Sequence, residues 1–194
     1  MPSVRSIATF AVKFLVIYGA LTASWPLCKP AYAFFLRESG QALIEAIGAG
    51  NRMRIRAATT PDGLTDTAIF VRDADGRAGQ TEISSRMAGF QPTSLLIGLV
   101  VATPVSARRR LWALFAGLVM LHAFVLARLA MCIIFAPVVR PDAFWTNVFR
   151  WSVFDFIHGH AGASFVPVLI WVAVTMRRED ARRLVGSTPK KVTA

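Results

Sequence analysis

Cysteine is nearly missing from this 194-residue chain: Cys28 and Cys132 are the two that occur, in separate apolar stretches and without CxxC or CxxH spacing. That excludes a disulfide framework and a cysteine-based zinc site, and leaves room for at most one distant bridge. Acidic residues are scarce too, 11 Asp and Glu against 22 Lys and Arg, for a formal charge of +11. Such a surplus can serve nucleic acid, but no basic stripe with interleaved aromatics occurs and the cations gather beside apolar runs, so no nucleic-acid partner is expected. The P-loop, GxSxG, HExxH and dinucleotide fingerprints are all missing, so neither a cofactor nor a metal is expected. Internal repeats and low-complexity linkers are missing as well, which points to one membrane domain carrying an insert.

What the chain has in abundance is apolar sequence. Hydrophobic residues make up 55% of it and its mean hydropathy is positive, more apolar than a water-soluble domain of this size. An integral membrane protein is expected. A bilayer core of about 30 Å needs about 20 apolar residues in a helix, and four segments meet or approach that length: Ile7 to Leu27, Phe90 to Ala107, Leu111 to Pro137, and Ala161 to Met176. Lys13 in the first lies near enough to the end to snorkel, and Pro104 is tolerable close to the end of the second. The expected fold class is therefore mainly α and integral to the membrane, with four transmembrane helices and a small extracytoplasmic helix plus β-hairpin insert.

Arg5, the run Arg108 to Arg110, and Arg177, Arg178, Arg182, Arg183, Lys190 and Lys191 all fall on one side of that four-span topology. The positive-inside pattern then puts both termini in the cytoplasm of a bacterial inner membrane. A competing reading takes Ala31, Tyr32 and Ala33 as the cleavage site of a signal peptide, although Lys13 and the length of the run oppose it. The chain divides into a first transmembrane helix (1–28), an extracytoplasmic insert (29–88), a three-helix membrane core (89–177) and a basic tail (178–194). In the insert, Phe34, Phe35, Leu43, Ile44 and Ile47 suit an amphipathic interfacial helix over Ala31 to Ile47, stopped by Gly48 and Gly50. Beyond it, Met53 and Ile55 alternate with Arg52, Arg54 and Arg56, and Thr67 to Val71 reads as strand, with turns at Pro61-Asp62-Gly63 and Asp75-Gly76. A small antiparallel sheet or two hairpins is expected.

Arg128 stands out because it interrupts the longest apolar run, Leu111 to Val139. A helix carries an arginine at membrane depth where it meets a partner, water or substrate. At 1.5 Å per residue it lies roughly 25 Å from the inner end of its span, in the outer half, able to face a cavity opened from outside. Cys132 is four residues on, hence on the same helical face, either as a small buried hydrophobe or as a thiol beside a cation. His158 and His160 stand at the outer mouth of the last span, as general base or ligand, or as polar members of an aromatic belt with Trp145 and Trp151. His122, about 120° round the helix from Arg128, is expected to hydrogen-bond within the bundle. Arg37, Glu38 and Glu45, like Arg52, Arg54 and Arg56, read as solvated faces, with anionic headgroups an added partner for the second set.

Taken together, Gly89-Phe90-Gln91-Pro92-Thr93-Ser94 at the outer start of one span, the Arg108-Arg109-Arg110 turn, the intramembrane Arg128, and His158 with Gly162 four residues on resemble the exosortase and archaeosortase family of membrane transpeptidases. The resemblance covers roughly the C-terminal half of the chain. It implies cleavage of C-terminal sorting tails by a cysteine at the outer end of the earlier span, with the arginine stabilising developing charge and the histidine handling the proton. No cysteine stands between Met87 and Leu95, however, where that nucleophile belongs, and Thr93 or Ser94 would need an activating base. A looser resemblance is to the small accessory membrane proteins encoded with some exosortases, and it accommodates the missing thiol. Three readings follow. The first is a non-catalytic accessory or divergent member of a tail-sorting, exopolysaccharide-linked export system, with a sorting enzyme or a tailed exported protein as partner and Arg128, His160, Thr93 and Ser94 in contact with substrate. The second is an active transpeptidase using Cys132, Arg128 and His158. The third is a transporter or lipid-binding subunit whose Arg128 grips an anionic headgroup, with membrane lipids as partners.

Overall fold

A computed structural model describes residues 4–58, 65–72, 78–135 and 160–176. The first apolar run forms α1, Val4–Ala23, which stops where Pro26 approaches. Proline lacks the N–H that would bond back to residue 22, and its ring crowds that carbonyl. Ser24 absorbs the break, its Oγ donating to the Leu21 carbonyl at 2.6 Å. The chain then restarts as α2, Trp25–Ala46, bent by 69° from α1. α2 begins earlier than the expected Ala31, and its buried line is Ala33, Leu36, Gly40 and Ile44, spaced at three and four residues as one helical face requires. Of the apolar face expected to lie along the interface, Ile44 is buried and Leu43 half-buried against protein, while Phe34, Phe35 and Ile47 are exposed.

The glycine stop works as expected. Gly48 takes a φ of 72°, and the N–H groups of Gly48 and Ala49 return to the carbonyls of Glu45 and Ile44, closing the helix with a Schellman pair. The chain that follows forms a three-stranded antiparallel sheet in the order β1-β2-β3, from Met53–Ala57, Thr67–Arg72 and Ala78–Ile83. Register pairs Met53 with Val71 and Ile55 with Ile69 on one face, and Arg54 with Phe70 and Arg56 with Ala68 on the other. The first face closes a core with Leu36 and Ile44 of α2 and with Val125 and Leu129 from further along the chain. α2 approaches the sheet closely at Gly40, where an added Cβ would press on the methyl ends of Ile55 and Leu129.

A π-helical turn, Arg86–Phe90, leads into α3, Gln91–Ala102; α4 spans Ala107–Phe135 and α5 spans His160–Thr175. α3 is the centre of the bundle, with α1, α4 and α5 packed around it. Leu96 and Val100 of α3 join Ala113 and Leu121 of α4 and Ile170 of α5 in a second core. Arg108 to Arg110, expected as a turn between spans, form the first turn of α4 instead. Arg109 donates to the Thr175 carbonyl at the end of α5, and Arg110 to the carbonyls of Thr103 and Val105. Cations thus serve the carbonyl-rich end of a neighbouring helix, where a guanidinium is favourable.

The expectation of four transmembrane helices is not met. Among the described residues, one helix, over Ala107–Met131, is long and apolar enough to cross a bilayer; a second is reached if the bent pair Ile7–Ala23 and Trp25–Ala46 is taken as one crossing. With the π-helical turn before it, the α3 segment runs Arg86–Ala102, at most about 25 Å at 1.5 Å each, and α5 has 16 described residues, about 24 Å, against the roughly 30 Å of a bilayer core. Hydropathy registers that a segment is apolar, whereas α3 is apolar because protein surrounds it. The mainly helical character and the small antiparallel sheet stand.

Candidate functional site

Thr93 lies in the first turn of α3, next to Pro92, with its side chain turned inward and 9% exposed. Its Oγ1 reaches the Gly89 carbonyl at 2.8 Å and the Tyr32 hydroxyl of α2 at 2.7 Å. The same hydroxyl meets His122 Nε2 of α4 at 3.2 Å, and His122 Nδ1 lies 2.8 Å from the Leu118 carbonyl. A carbonyl accepts, so Nδ1 carries the proton of a neutral ring and Nε2 is left as acceptor, an assignment made from the hydrogen bonds. Tyr32 then donates to His122, and the single Thr93 hydroxyl proton goes either to the Gly89 carbonyl or to the Tyr32 oxygen. Three helices are joined through one phenol.

The surroundings close over this network. Phe90 stands edge-on to Tyr32 at 5.6 Å between centroids, Phe35 edge-on to His122 at 5.6 Å, and Trp25 packs on Phe90 at 4.9 Å. Gly89 makes the approach possible, since a Cβ at that position would lie 2.7 Å from Tyr32 Cε1. Ser94, the next residue, is 2% exposed within α3. Asp66 accepts from the Ser85 N–H at 3.1 Å and from its hydroxyl, which ties the start of β2 to the start of the π-helical turn that carries Gly89.

Arg128 is buried, 8% exposed, between Val125 and Leu129 of the sheet-facing core. Its guanidinium carbon lies 5.7 Å from the Phe124 ring centroid, a cation–π distance. It therefore faces protein. It also stands apart from His122: six residues along α4 is about 9 Å and about 120° of rotation. Because α4 runs to Phe135, Cys132 follows Arg128 by one helical turn. His160 opens α5, and His158 lies outside the described residues. Cys28 is a free thiol 3.8 Å from Ser24 Oγ.

The structure thus brings Thr93 and His122 together, and leaves Arg128 apart from them, buried over Phe124. The residue that joins the first pair, Tyr32, reads in the sequence as part of a cleavage-site pattern. One signal for its role exists: it is one of two tyrosines in the chain, set in apolar sequence, and a buried tyrosine hydroxyl seeks a partner. No family model, curated protein or solved structure matches the chain.

Proposed function

We propose that the chain is an exosortase-like protein of the bacterial inner membrane that acts as a non-catalytic accessory in C-terminal-tail protein sorting and export. The observation that carries this reading is the state of Thr93, which lies in the stretch between Met87 and Leu95 where the resemblance implies a cysteine and none stands. Its hydroxyl is enclosed and engaged by Gly89 and Tyr32, and an alcohol so engaged serves to join helices rather than to attack an amide. Membrane residence is supported by α4, whose Leu111, Trp112, Phe115 and Val119 are all more than half exposed although large and apolar. An apolar face of that extent is covered by lipid or by another protein. Arg128 is buried within α4, its guanidinium over the Phe124 ring.

The reading is tested by a tailed reporter in membranes holding this chain with its sorting enzyme. Replacing both Cys28 and Cys132 by alanine is expected to leave tail cleavage at the wild-type rate. Loss of cleavage in a double variant that still accumulates in the membrane, or covalent capture of the reporter on Cys132, would overturn it.

A further inference from the structure

We infer that the outward face of the β-sheet is a binding site for a phosphate-bearing ligand. In β1 the inward residues Met53 and Ile55 are buried, so strand alternation turns Arg54 and Arg56 to the opposite face. Arg52, in the turn before β1, and Arg72, at the end of β2, are exposed beside them, and the Arg72 N–H donates to the Arg52 carbonyl at 2.7 Å, which ties the two backbones together. These four arginines and Phe70 line a concavity of about 360 Å³. Arg54 and Arg56 lie about 7 Å apart along the strand, close enough for their forks to meet on one ligand. Glu82, a carboxylate on the same face in the row of Arg56 and Ala68, accepts from Thr65 at 2.7 Å and from Gln80 at 3.1 Å.

Four guanidinium groups around one hollow repel each other until an anion enters, and that repulsion favours multivalent anions. Guanidinium forks bind paired oxygens, and phosphate or pyrophosphate offers more acceptor oxygens and more charge than a carboxylate does. Phe70 supplies an apolar surface for whatever carries the phosphate. The sheet packs its other face on α2 and α4, so the row of Arg54 and Arg56 lies on the side away from that core. This inference is independent of the sorting role.

The test is calorimetric titration of pyrophosphate into the full-length chain in neutral detergent at low salt, alongside sedimentation with vesicles containing an anionic phospholipid. The doubly substituted Arg54→Gln, Arg56→Gln chain is expected to bind about a hundredfold more weakly, near tenfold for each guanidinium–phosphate pairing removed. Arg54→Lys, Arg56→Lys, which keeps charge but removes the forks, should fall between and stands in if the glutamine variant does not fold. Pyrophosphate binding that responds in this way assigns a soluble phosphorylated ligand, and vesicle binding alone with the same response assigns a lipid headgroup; both support the site. Binding of neither, binding equal to wild type in the variants, or equally tight binding of a hexaglutamate peptide would overturn it.

Discussion

α3 and α4 are both mostly apolar, and they bury those residues against different surroundings. α3 is 12 residues long and sits inside a ring of α1, α4 and α5, with Leu96 and Val100 fully enclosed. α4 is 29 residues long, packs one side on its neighbours and leaves Phe115 63% exposed on another. Apolar composition therefore marks a segment as shielded from water without saying by what. Length and neighbours decide between protein and lipid, because at most about 25 Å of helix, the π-helical turn included, falls short of a bilayer core and about 44 Å does not.

The contrast is most sharply broken by cutting into α3. Leu96→Ala should lower unfolding free energy by about 2–5 kcal/mol, read by thermal or denaturant unfolding in micelles, because Leu96 is enclosed and lies close against Gly117 of α4. A loss under about 1 kcal/mol would mean that lipid or detergent reaches α3. Tyr32→Phe comes next. It removes the one hydroxyl shared by Thr93 and His122 and leaves the His122 acceptor without its donor, at a cost of about 1–3 kcal/mol. Unchanged stability would show that water replaces the phenol, and the network would then be open rather than closed. Phe115→Ala on the uncovered side of α4 should be the mildest, within about 0.5 kcal/mol in micelles. A larger loss would show that a partner, not lipid, covers that face.

Much of the insert is legible in the residues themselves. Met53 and Ile55 set between Arg52, Arg54 and Arg56 announce a strand with one buried face, and Gly48 marks the end of α2, since both signals depend on nearest neighbours along the chain. Arg128 is legible as a buried cation for the same reason, a charge set in an apolar helix. His122 is legible as a bundle hydrogen bonder, while its partner is not: Tyr32 is 90 residues away, and nothing local records that pairing. The break at Ser24 escapes a hydropathy reading, which runs straight through Pro26, although proline at that point interrupts the backbone hydrogen bonds.

The residues alone thus specify which segments avoid water, where β1 places its arginines, and that Arg128 needs a partner, water or a substrate, since each follows from local periodicity and the cost of desolvating charge. It took the assembled fold to shelter α3 with protein, to hold Thr93 against Tyr32 and His122, and to bring Arg72 beside Arg52, Arg54 and Arg56 around one hollow. Those outcomes depend on contacts between residues distant in sequence, whose energies arise when helices and strands meet and leave no periodic trace in the chain.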